Sequence, residues 1–245
     1  MRTNYNLATQ HIERTITSTE REVDVGRTLA KQVEKELTLV PDEPMQTRVR
    51  TIGARLVAVC DRQELVYSFA VVKEEGINAF SLPGGYVFLN EGLVKKAAND
   101  DELASVIAHE IGHIAARHAV KRFETSLGLQ LVQLATLAAA RRGADPRGIG
   151  IALRAARLAY ARQDELQADR LAVQYLKAAG YDATGMLSFL NRLNHAERDK
   201  LHYLPRGMVR PEYGMTHPFV ADRIRTVKEA LYGVADYVDY LNTEN

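Results

Sequence analysis

A single cysteine, Cys60, stands in the 245 residues, so neither an intrachain disulfide nor a cysteine metal site can form. It follows Ile52, Leu56 and Val59 at helical spacing and reads as a small buried thiol rather than a nucleophile. No apolar run reaches the roughly 20 residues that span a bilayer. The opening residues, among them Asn4, Thr9, His11 and Thr15, lack the apolar core of a signal peptide. Charge of one sign is missing too: 32 Lys and Arg against 31 Asp and Glu leave a formal +1, which removes the electrostatic case for a nucleic-acid partner. Internal repeats and low-complexity tracts are absent. What is present is a chain 46% hydrophobic, long enough to bury a sizeable core. We expect a polar N-terminal arm over residues 1–18 and one catalytic domain over 19–245.

Against these absences, His109-Glu110-Ile111-Gly112-His113 carries the chemistry. Leu103, Val106, Ile107, Ile111 and Ile114 recur at three- and four-residue steps, which predicts a buried helix, and Asn99 with Glu102 forms its capping signature. His109 and His113, four apart, project from one face and can reach one metal ion. Glu110 points roughly one hundred degrees away, which suits a base acting on water rather than a ligand. Zinc fits such donors best, because it takes imidazole and carboxylate in a tetrahedral site and brings the pKa of a bound water to about 7.

A catalytic zinc site needs a third protein ligand. The metzincin extension requires Gly and His where Ala116 and Ala119 stand, and it fails. His118, about 140° around a continuous helix from His113, reads as structural. Glu165 and Asp169, four apart on a later helix, offer a carboxylate for the metal and an acceptor for the distal N–H of a ligating histidine. His195, His202 and His217 remain further donors without a spacing signature.

The runs Asp101–Ala104 and His109–His118, the segment Arg162–Asp169, Asn78-Ala79-Phe80 with Pro83-Gly84-Gly85-Tyr86, and Thr216-His217-Pro218 with Arg223-Ile224 resemble peptidase family 48. That group includes HtpX, the CAAX prenyl proteases, Oma-type mitochondrial peptidases and bacterial outer-membrane-assembly proteases. The resemblance covers about residues 20 to 230, with the motifs in order. It implies an α+β, predominantly helical, zincin-like fold and a gluzincin-type endopeptidase with one zinc ion. His109, His113 and Glu165 would be its ligands and Glu110 its general base. It also implies that His217 lies near the metal, either stabilising the oxyanion or capping zinc at rest; Arg223 is a second oxyanion candidate. Unfolded or misassembled proteins would be the substrates. The likeness is greatest to exported members, which places the protein in the periplasm or cell envelope with its signal removed; read literally, the polar start is cytoplasmic. HtpX and the prenyl proteases carry transmembrane helices not matched here, and no tetratricopeptide array occurs within these residues. The alternative reading is a zinc-stabilised, chaperone-like binding module with latent protease activity; a helical scaffold with accidental histidines would bind no metal.

Around the motif, Thr19 and Glu22 are expected to cap a helix carrying Val23, Leu29, Val33 and Leu37 and ended by Pro41 and Pro44. Met45, Val49, Ile52, Leu56 and Val59 predict a second helix, and Met186, Phe189, Leu190 and Leu193 a later one. Val66–Lys73, Ile77–Leu82 and Tyr86–Asn90 read as strands of a short antiparallel sheet beside the active-site helix, the last two joined across Pro83-Gly84-Gly85. Asn78, Ala79 and Phe80 are the candidate edge to which an extended substrate would add. Leu127–Ala140 is either a helix on the core or a lid with peripheral membrane contact, followed by a break at Gly143, Asp145, Pro146 and Gly148. Leu204–Met215 is expected as a loop.

Overall fold

A computed structural model describes residues 2–6, 11–15, 18–125, 160–201 and 217–233. Within the polar arm, β1 (Arg2–Asn6) and β2 (His11–Thr15) pair as an antiparallel ribbon. Helix α1 (Thr19–Glu36) follows. Its cap is Ser18, whose hydroxyl accepts from the Arg21 backbone N–H, rather than the expected Thr19 and Glu22 pair. Glu22 instead turns inward, where Arg62 and the Gly84 backbone N–H donate to its carboxylate. The hydrogen bond from Gly84 ties α1 to the Pro83-Gly84-Gly85 turn, and the ion pair ties it to Arg62.

Helix α2 (Glu43–Val57) starts at Asp42, which accepts from the Met45 backbone, with Pro44 in its first turn. It ends at Val57, so Val59 lies beyond it. Strands β3 (Ser68–Val72), β4 (Ala79–Leu82) and β5 (Tyr86–Asn90) form a sheet in the order β3-β5-β4. The sheet is mixed and not antiparallel as expected: β4 and β5 pair antiparallel, but β5 runs parallel to β3. The hairpin places β5 in the middle, so β4 is passed over before the chain returns to pair with β3. Gly84 and Gly85 make that hairpin turn with φ of 79° and 102°, a region costly for residues with a Cβ. The β3 edge is covered by residues 38–40, through Val40 N–H to Val71 O and Lys73 N–H to Thr38 O. This leaves β4 as the other edge.

After the short α3 (Glu91–Lys96), α4 (Asp100–Ala115) carries the histidine motif. Asn99 caps it as predicted, accepting from the Glu102 backbone, while Glu102 Oε2 accepts from Ala98 N–H. From Leu103 to Ala115 every residue of α4 is buried, because α2, the sheet and later helices surround it. The helix stops where Arg117 takes φ 58°, and α5 (His118–Thr125) begins at His118. Leu127–Ala140, the Gly143–Gly148 break, Leu204–Met215 and His202 lie outside the described residues.

Helix α6 (Arg162–Ala178) supplies Glu165 and Asp169 and packs closely on α4. Gly112 permits that approach, since a Cβ there would fall 2.9 Å from the Ala168 carbonyl oxygen. Helices α7 (Thr184–Leu201) and α8 (Val220–Tyr232) complete the described layer; Met186, Phe189, Leu190 and Leu193 bury the inner face of α7 as the periodicity predicted.

Candidate metal centre

His109 and His113 leave α4 on the face turned to α6, where Glu165 stands one turn from the N-terminus of that helix. His217, just before α8, brings a third imidazole from a distant part of the chain. Donor atoms of these four residues lie within 4.8 Å of one another, and all four side chains are buried. His109 Nε2 is 3.0 Å from His113 Nε2 and 3.3 Å from His217 Nδ1. Glu165 oxygens lie 3.4 Å from each of the first two nitrogens and 3.2 Å from His217 Nδ1.

A tetrahedral ion with bonds of about 2.0–2.1 Å separates its donors by about 3.3 Å. The five separations given, with the two Glu165 oxygens sharing one corner, are close to the edges of such a tetrahedron. Charge leads to the same place. Glu110, Glu165 and Asp169 are buried together, and among the described residues Arg223 pairs with the last two, so a divalent cation would offset carboxylate charge that is costly to bury. Among the described residues neither oxygen of Glu110 accepts a hydrogen bond, although the residue is fully buried; His217 Nε2 stands 3.3 Å from Oε1. A buried carboxylate without donors is costly, and it awaits a proton-bearing partner such as water or substrate. The residues present thus fit a metal and its water.

Protonation follows the same field. Burial and Arg223 oppose a charge on His109, yet Asp169 and Glu165 outweigh them and raise it to about 9. Burial also opposes ionisation of Glu165, but His217, Arg223 and hydrogen bonds from His109 and His113 hold it well below the usual carboxylate range. Burial drives His113 well below its ordinary value and His118 down to about 4. The anionic Glu165 beside a neutral His113 suits a cation, whose binding would also displace the extra proton from His109.

Asp169 sits behind His109, with Oδ1 2.8 Å from Nδ1. Arg223 reaches Asp169 through Nε and Nη2, both at 2.8 Å, and its Nη1 lies 3.3 Å from Glu165 and 3.4 Å from the His217 carbonyl. Ala79, at the start of the β4 edge, turns its carbonyl to His217 Nε2 at 3.3 Å. The pairing of Asn78 O with Asn90 N–H points Asn78 and Phe80 at β5, and Ala79 and Ser81 therefore outward. His195 is exposed and apart from the cluster.

Sequence reasoning missed two neighbours. The Tyr160 ring stacks on His113 at 3.8 Å between centroids, and Arg122 lies over the tyrosine at 3.7 Å. Nothing in the local pattern around Tyr160 signals this. His118 touches His113 with Nδ1 2.8 Å from Nδ1, a contact that a continuous helix would forbid.

The profile of peptidase family M48 matches residues 43–231, a span that holds every residue of this centre. The chain belongs to peptidase family M48. Among its relatives are the beta-barrel assembly-enhancing proteases of Yersinia pestis, 30% identical over 218 residues (84% of this chain, 43% of that protein), and of Escherichia coli K12, 29% identical over 215 residues (83% and 42%). The mitochondrial metalloendopeptidase OMA1 of Schizosaccharomyces pombe is 28% identical over 189 residues (77% and 53%). The chain spans less than half the length of these beta-barrel assembly-enhancing proteases. No helix among the described residues is long and apolar enough to cross a membrane. Membership of M48 and the His/Glu cluster together indicate a metal ion at this centre.

Proposed function

We propose that this chain is the catalytic domain of a zinc-dependent endopeptidase, zincin-like and of the gluzincin type, acting on unfolded or misassembled proteins of the cell envelope. The observation that carries the reading is the convergence of four buried donors within 4.8 Å of one another beside the Glu110 carboxylate, which accepts no hydrogen bond among the described residues. The names of the bacterial relatives support the envelope setting.

In this mechanism His109, His113 and Glu165 would hold zinc, and Asp169 would accept the His109 Nδ1 proton, leaving Nε2 as the lone-pair donor. Zinc, when bound, polarises the scissile carbonyl and acidifies a water. Glu110 would take a proton from the attacking water and return it to the leaving amine; among the described residues no donor occupies either of its oxygens. The outward backbone groups of Ala79 and Ser81 on β4 would pair with an extended substrate, giving affinity with little sequence preference. Arg223, an oxyanion candidate by resemblance, engages Asp169, Glu165 and the His217 carbonyl with its nitrogens, so we assign it to holding Asp169 and Glu165 in place.

His217 is the point of regulation. Its Nδ1 stands with the other three donors and its Nε2 bonds the β4 edge at Ala79, so it would compete both with water for the metal and with a substrate strand for that edge. This favours a resting, capped state over a permanent oxyanion role, and it gives the latent binding module its one supporting observation. Incubating the protein with an unfolded test substrate, with and without a metal chelator, tests the function: chelator-sensitive cleavage is expected. A stoichiometric zinc protein that cleaves nothing, even after His217→Ala, would leave the binding module standing instead.

A further inference from the structure

The chemistry above makes no use of a fully buried imidazole that touches the centre from outside, His118. The left-handed Arg117 breaks the helix one residue before it, and the reversal brings His118 back onto His113. Its Nε2 lies 3.0 Å from Gln167 Oε1 and 3.5 Å from Asp164 Oδ1. A carboxylate can only accept, so the proton of neutral His118 belongs on Nε2. Its Nδ1 is then a lone pair, and the 2.8 Å contact requires His113 Nδ1 to carry a proton and donate it. The lone pair of His113 is thereby left on Nε2, the atom that stands 3.0 Å from His109 Nε2 in the donor set.

We propose that His118, backed by Gln167, is a positioning residue that fixes the tautomer and ring plane of His113 and so sets how tightly the centre binds zinc. His113 thus gains from α5 and α6 what His109 gains from Asp169. The inference rests on the zinc reading above. Ligating histidines are held by such outer partners, whose loss lowers metal affinity by about 10–100-fold.

The zinc dissociation constant, measured by competition with a chromogenic chelator, tests it without recourse to activity. His118→Leu is expected to bind one zinc about 10–100-fold more weakly than the wild type. His118→Asn, whose Oδ1 falls near the place of Nδ1, should recover most of that loss. Gln167 is only half-buried, so its variants disturb the core little. Gln167→Glu should tighten binding several-fold by making the relay more basic, and Gln167→Leu should weaken it. Equal affinity of His118→Leu and wild type, or no recovery in His118→Asn, overturns the inference and leaves the zinc reading intact. A wild-type protein that binds no zinc overturns both. Should His118→Leu not fold, the Gln167 pair decides, and identical affinities of its two variants refute the role.

Discussion

Replacing Arg223 with methionine probes whether the guanidinium is a structural counter-ion of the centre. The side chain is 1% exposed and gives two 2.8 Å bonds to Asp169, with Glu165 at 3.3 Å. Hydrogen bonds to charged groups contribute about 1.5–3 kcal/mol each, so two amount to about 3–6 kcal/mol. Removing one member of a buried ion pair independently costs about 3–5 kcal/mol, because the remaining charge stays desolvated. The two routes agree on about 4 kcal/mol. The assay is urea unfolding of chelator-treated protein, in which no bound cation offsets the lost charge. With a slope of about 3 kcal/mol/M, the midpoint should fall by about 1–2 M. Arg223→Lys, which keeps charge but not the forked geometry, should fall between. A shift below about 0.3 M, or roughly 1 kcal/mol, would refute the counter-ion role. An oxyanion role predicts the opposite pattern, lost turnover at unchanged stability.

Two other substitutions test separate links. His217→Ala should raise cleavage of an unfolded substrate several-fold at unchanged zinc content, since the cap on the metal and the β4 edge is gone; a fall of about 10²-fold or more would assign His217 to the oxyanion instead. Gly112→Ala should destabilise the fold by about 1–3 kcal/mol, because the new methyl meets the Ala168 carbonyl oxygen at 2.9 Å and must push α4 from α6. An unchanged thermal midpoint would contradict that close approach.

Local periodicity carried the helices well, since Asn99, Glu102 and the apolar steps of α4 sit in consecutive residues. The mixed sheet was not legible, because a hairpin signal at Pro83-Gly84-Gly85 identifies the β4–β5 pairing but says nothing of which side β3 joins. Glu22 misled for a related reason: the spacing of a capping residue also suits a buried ion pair, and the partner, Arg62, lies 40 residues away. In the centre, the spacings of His109 with His113 and of Glu165 with Asp169 expressed helix geometry directly. The convergence of His217, Arg223 and Tyr160 depends on tertiary contacts that no local pattern encodes. The angle along a continuous helix reads His118 as structural, and it stands outside the donor set. The left-handed Arg117 was invisible in that reasoning, and with it the contact to His113.

In the proposed mechanism Glu110 acts as base beside a metal it does not bind. Zinc content and cleavage rate of Glu110→Gln, measured on one preparation with the wild type alongside, test it most directly. One zinc per chain is expected in both proteins, with a cleavage rate lowered by about 10²–10⁴-fold in the variant. Cleavage at the wild-type rate, or loss of the zinc, would contradict it.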